Sequence, residues 1–136
     1  MTIIGNGIDL VDVKRIRDMV ERHGQRFLDR CFTKVEQAYC DDAPRRRFEH
    51  YAARFAAKEA ALKVLGTGLR DGIAWTDLEI VREPSGKPKL VVSGRCAEIA
   101  TEQGIDHWMI SLSHTETLAT AMALGIATPS SGCGTE

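Results

Sequence analysis

Two acidic side chains far apart in the sequence, Asp9 and Glu59, have the type and setting of cation ligands. Asp9 stands in Gly7-Ile8-Asp9-Leu10, a mainly apolar stretch. On a strand, Ile8 and Leu10 project to one face and Asp9 to the other. A carboxylate so placed either bonds the backbone of a nearby turn or serves as a ligand. Glu59 stands in Phe55-Ala56-Ala57-Lys58-Glu59-Ala60-Ala61-Leu62-Lys63. At about 100° per residue, Phe48, Ala52, Phe55 and Glu59 share one arc of a helix, with Leu62 close by. A carboxylate within an apolar stripe needs a partner, because burying it bare is costly. Lys63, one turn on, would give an intrahelical pair contributing about 0.3 kcal/mol. A bound cation is the alternative. Two carboxylates from separate elements commonly hold magnesium, with substrate phosphates and water completing the octahedron.

Other residues have the chemistry of phosphate contacts. Lys63 leads into Gly66-Thr67-Gly68, where a backbone without side chains lets a ligand approach closely. The same triplet also reads as a helix C-cap. Lys87 sits in Pro84-Ser85-Gly86-Lys87-Pro88, a turn sequence. Ser111-Leu112-Ser113-His114-Thr115 sets hydroxyls and an imidazole together, although a lone histidine also serves as a structural hydrogen bonder. The sequence has no G-x-x-x-x-G-K-[ST] loop, no G-x-G-x-x-G and no G-x-S-x-G elbow. The cysteines are Cys31, Cys40, Cys96 and Cys133, without C-x-x-C or zinc-ligand spacing.

The elements that must position these groups follow from periodicity and punctuation. Residues 3–11 read as a strand, and Asp12 as an N-cap. Val13, Ile16 and Val20 recur at helical spacing up to Gly24. Residues 26–32 read as a helical turn. Thr33-x-x-Glu36 is a capping box, opening a helix through Tyr39 that Asp41-Asp42-Ala43-Pro44 breaks. Residues 45–65, rich in Ala, Leu, Lys, Arg and Glu, form the strongest helix. Strands over 77–82 and 89–93 flank the proline-glycine turn as a hairpin. A helix over 94–103 and two strands, 107–113 and 118–126, complete the order. This is an α+β domain, a mostly antiparallel sheet packed against a long helix. Residues 1–127 form that domain, and residues 128–136 read as a small, polar, disordered tail.

The chain has 136 residues, enough for one domain with a core of its own. Hydrophobic residues make up 43% and charged residues 27%, a soluble globular balance. A net charge of -1 gives no bulk attraction to nucleic acid or membrane. The N-terminus has no signal-peptide pattern and no apolar run reaches membrane-spanning length. Reduced thiols in a cytoplasmic protein are the expected reading of the cysteines.

Gly7-x-Asp9 with Lys14-Arg15-Ile16, and Arg54-Phe55-Ala56-Ala57-Lys58-Glu59-Ala60-x-x-Lys63-x-x-Gly66-Thr67-Gly68, resemble the two signatures of the holo-acyl-carrier-protein synthases. These are the short branch of the 4′-phosphopantetheinyl transferases. Gly86-Lys87-Pro88 and Ser111-x-Ser113-His114-Thr115 resemble two further stretches, so the likeness spans residues 3–126. The resemblance implies transfer of phosphopantetheine from coenzyme A to a serine of an apo acyl carrier protein. It implies Mg2+ as cofactor and a homotrimer with interfacial sites. By position, Asp9 and Glu59 correspond to the metal ligands and, with Lys63, to the catalytic set. Arg54, Lys63, Gly66, Thr67, Lys87, Pro88, His114 and Thr115 correspond to coenzyme A contacts, and Arg15 to a carrier-protein contact. Arg15 and Arg22 lie on one helix face, which either steers an acidic carrier or is simply a solvated basic face. The tail beyond Ile126 has no expected counterpart in the family core. A binding module without catalysis and a magnesium-dependent phosphohydrolase are the competing readings. The intact acidic pair argues against the first, and the acceptor, water or serine, separates the second.

Overall fold

The computed structural model describes residues 1–129. The chain begins with β1 (Thr2–Asp12), then α1 (Val13–His23), α2 (Gln25–Cys31) and α3 (Lys34–Asp41). A 3-10 turn at Pro44–Arg46 leads into α4 (Arg47–Leu65), and a second at Trp75–Asp77 leads into β2 (Leu78–Arg82). β3 (Pro88–Val92), α5 (Gly94–Glu102), β4 (His107–His114) and β5 (Leu118–Ala127) complete the order. The α+β expectation holds, with one refinement. The strands form two antiparallel sheets among the described residues: β1-β5-β4, and the β2-β3 hairpin by itself.

The three-stranded sheet pairs the first strand with the last, Ile8 opposite Met122 and Asp9 opposite Ala121. Its inner face carries small residues: Gly5, Gly7, Ala119, Ala121, Ala123 and Gly125. α4 is equally small on its buried surface, with Ala52, Ala53, Ala56, Ala57, Ala60 and Ala61 all inside. Two surfaces without long side chains approach closely, so α4 lies tight against β1 and β5. Gly7 marks the closest point, where a Cβ would overlap the Ala60 carbonyl oxygen. α4 is apolar almost all round because helices cover its other sides.

The local signals act as read. Val13, Ile16 and Val20 are buried. Thr33 and Glu36 form both halves of the capping box. Gly66 ends α4 in the left-handed region at φ 76°, its N–H donating to the Leu62 carbonyl. Asp12 occupies the N-cap position of α1 without a side-chain capping bond. The start of α1 is held instead by the Val13 N–H on the Thr117 carbonyl at 2.9 Å. Thr128 is fastened to Asp106 by its N–H at 3.0 Å and its hydroxyl at 2.7 Å. The expected disordered tail lies, from residue 130 on, outside the described residues. No helix is long and apolar enough to cross a membrane among the described residues.

Candidate active site

β1 and α4 bring Asp9, Glu59 and Lys63 together. Asp9 is on the inner face of β1, while Ile8 and Leu10 project outward at 66% and 64% exposure. The Asp9 side chain retains 16% of its exposure. The contact at Gly7 fixes how far β1 stands from α4, and so where Asp9 meets the helix. Lys63 does not behave as a simple partner of Glu59. Its ammonium crosses to β1, donating to the Ile8 carbonyl at 2.7 Å and to Asp9 Oδ1 at 3.3 Å. Burial pushes the Glu59 carboxyl above its usual value, and the Asp9 charge pushes the same way against Arg15 and Lys63. Two carboxylates therefore share one field, with Lys63 bonded to the first. That donor set suits a divalent cation, since hard oxygens of net negative charge are its preferred ligands. Among the described residues no third His, Cys, Asp or Glu joins them. Other oxygens would have to come from a ligand or water.

Arg54 is one and a half turns before Glu59 and only 3% exposed. Its guanidinium stacks on Tyr39 at 4.0 Å, and its Nε has no hydrogen-bond partner among the described residues. Arg82 approaches the same ring at 5.1 Å. His50 lies against Tyr39 at 5.2 Å and against His114 at 5.4 Å. Burial and the Arg54 charge hold the His50 imidazole below its usual value. His114 Nδ1 is 2.8 Å from Glu49 Oε1. Arg54 and His114 thus belong to one aromatic and basic cluster. Tyr39, His50 and Arg82, its other members, carry no spacing signal that would have singled them out.

The remaining candidates are spread over the surface. Gly66 and Thr67 follow α4, with the Thr67 carbonyl accepting from Arg70 Nε at 2.6 Å. Lys87 and Pro88 line a cleft of about 420 Å³ beside Trp108. Thr115 shapes the β4-β5 turn, its hydroxyl oxygen accepting the Thr117 and Leu118 N–H groups. His114 borders a cleft of about 510 Å³ with Arg45, Arg46 and Glu116. Arg15 and Arg22 line a shallow hollow along α1 with Lys14 and Met19. Arg15 also sits over the Phe55 ring at 5.6 Å.

Sequence reasoning also missed a fully buried charged pair. Lys58 and Glu36, 22 residues apart, meet at 2.7 Å with neither side chain exposed. Burial pushes the Lys58 amine below its usual value, against the pull of Glu36. Glu36 was legible only as half of a capping box.

A family model described as the 4′-phosphopantetheinyl transferase superfamily matches residues 5–123. The chain belongs to that superfamily. A holo-[acyl-carrier-protein] synthase of Koribacter versatilis is 46% identical over 122 residues, 90% of this chain and 97% of that one. The synthase of Desulforudis audaxviator is 48% identical over 124 residues, 91% of this chain and 93% of its own. Solved phosphopantetheinyl transferases share the fold. The Neisseria meningitidis synthase superposes with a TM-score of 0.82 at 32% identity, covering 92% of this chain and 99% of that one. The Helicobacter pylori synthase, solved in complex with coenzyme A, gives 0.78 at 29% identity, with 89% and 99% covered.

Proposed function

We propose that the chain transfers the 4′-phosphopantetheine arm of coenzyme A to a serine of an apo acyl carrier protein, releasing adenosine 3′,5′-bisphosphate. The observation that carries this reading is the paired Asp9 and Glu59 with the Lys63 ammonium on Asp9. Relatives up to 48% identical over most of the chain bear the name of that enzyme. Residues 1–127 act as one transferase domain.

Asp9 and Glu59 would hold Mg2+, which when bound supplies a Lewis acid for the donor diphosphate. The residues of the chain do the rest by position and charge. Lys63, already 54% exposed beside Asp9, offers a cation to the charge that grows on the departing phosphate. Arg54 holds a guanidinium with an unused N–H in a buried setting, ready for a phosphate oxygen. Glu59 also offers a carboxylate to accept the serine proton. Gly66 and Thr67 offer backbone at the end of α4, and Lys87, Pro88, His114 and Thr115 supply contacts from separate clefts. On α1, Arg15 and Arg22 face the acidic carrier.

The chain works as a homotrimer. The outer face of the three-stranded sheet exposes Ile8, Leu10, Met109, Leu118 and Met122. A contiguous apolar face of this kind is usually covered by another protein surface. Contacts from a neighbouring copy would also explain why the coenzyme A candidates are dispersed within one chain. A cytoplasmic location suits the buried free thiols Cys31, Cys40 and Cys96 among the described residues.

The test is the mass of an apo carrier protein incubated with this protein, coenzyme A and Mg2+. A gain equal to phosphopantetheine, with release of adenosine 3′,5′-bisphosphate, is expected. An unchanged carrier overturns the reading. Free phosphopantetheine without carrier modification would identify a hydrolase instead.

A further inference from the structure

Lys58 immediately precedes Glu59 but points elsewhere. Its side chain is fully buried, as is that of Glu36. The ammonium donates to the Cys31 carbonyl at 2.8 Å, to Glu36 Oε1 at 2.7 Å and to the Trp75 carbonyl at 3.3 Å. Three N–H bonds find three acceptors, which is the full capacity of the group. Glu36 is used as completely. Oε1 also accepts the Thr33 N–H at 2.9 Å, and Oε2 accepts the Ile80 N–H at 2.8 Å. One buried pair thus ties the end of α2, the start of α3, the turn before β2 and β2 itself to a single residue of α4.

Tyr51, Phe55, Leu62, Val64 and Leu65 also anchor the helix it grips, but the alanines between them add little to its keying. Ala52, Ala53, Ala56, Ala57, Ala60 and Ala61 leave much of its buried surface smooth. Small side chains against the small inner face of the sheet permit close approach but offer few knobs to set the roll about the axis. Buried charges are poor net stabilisers, and their best attested use is to fix register. Around α4, Glu59 follows Lys58 by about 100° and Lys63 follows it by about 140°. The two groups that meet Asp9 therefore lie roughly opposite the ammonium. Turning Lys58 turns both.

We propose that the Lys58–Glu36 pair is a positioning device for the transfer: it sets the roll of α4 that aims Glu59 and Lys63 at Asp9. This rests on the transferase reading above. Lys58 acts through its neighbours and touches no substrate. The pair holds the side of the helix away from β1, while the Gly7–Ala60 contact holds the side toward it. The two contacts thus act on opposite sides of the helix.

Two variants test this on the full chain. The double variant Lys58→Met with Glu36→Gln removes both charges, so that neither is stranded in the core. Glu36→Asp keeps the charge pair but withdraws its oxygens by one methylene. Each is assayed well below its own melting temperature, so that folded protein is compared with folded protein. Expected is a fall in kcat of at least tenfold with KM for coenzyme A within about twofold of the parent. Binding of Mn2+, read by paramagnetic resonance without either substrate, should weaken at least fivefold in parallel. Parent kcat and parent Mn2+ affinity in a folded variant overturn the proposal. If the double variant does not fold, Glu36→Asp decides alone by the same readings. If the parent itself modifies no carrier, the transferase reading fails, and the Mn2+ comparison still judges the positioning role. A parent that binds no Mn2+ overturns it.

Discussion

Glu59 is half-buried, next to a second carboxylate, on a helix that packs against the sheet. Both burial and the Asp9 charge make its ionised form costly. Such tension is typical of residues kept for chemistry rather than for stability. Glu59→Gln removes the charge while keeping the shape. It should melt higher than the parent when both are free of divalent ions, by differential scanning calorimetry, while carrier modification falls by about 100-fold or more. Asp9→Asn should lose activity by a similar factor, and retained turnover in both variants would remove the acidic pair from the mechanism. Asp29 shows the opposite electrostatics. Hydrogen bonds from Gln25, Lys34 and Gln37 lower its pKa from 3.8 to about 2. A carboxylate depressed in the fold favours the folded state above its unfolded pKa. That contribution is lost as the pH falls from about 3.8 toward 2. Melting curves across that window should therefore drop more steeply for the parent than for Asp29→Asn.

At the scale of elements, what was readable in the sequence was local. The capping box at Thr33 and Glu36, the Gly66 stop and the turn between β2 and β3 each carry their instruction within a few residues. The 3.6-residue period of α1 likewise matches its buried residues. What could not be read is how distant segments meet. Lys63 looked like a partner for Glu59 one turn away, yet it bonds a strand 54 residues earlier. Glu36 and Lys58 sit in good local contexts that say nothing of each other. The split into two sheets is equally invisible, because alternation defines a strand and not its neighbour. Asp9 and Glu59 were legible as chemistry, but their meeting depends on Gly7, a small residue whose value lies in what it leaves out. A methyl group at Gly7 would strike the Ala60 carbonyl. Gly7→Ala should force β1 away from α4, costing about 1–3 kcal/mol of stability in denaturant unfolding. It should also lower turnover in the fraction still folded, and unchanged activity would show that the spacing tolerates adjustment.

For the whole molecule, the outer sheet face is the feature left uncovered among the described residues. Ile8 and Met122 are directly opposed on it, at 66% and 39% exposure. Ile8→Glu should convert the proposed trimer to monomers in light scattering and abolish carrier modification, although the residue is outside the acidic pair. A variant that stays trimeric would place the assembly surface elsewhere. The pairing of β1 with β5 has another outcome, one that concerns synthesis. Thr2 lies across from Ala127, so the opening strand waits for the closing one. A ribosome delivers β1 and α4 long before their shared neighbour has left the exit tunnel, and such non-local pairing slows folding. Until then the alanine-rich helix has an incomplete seat.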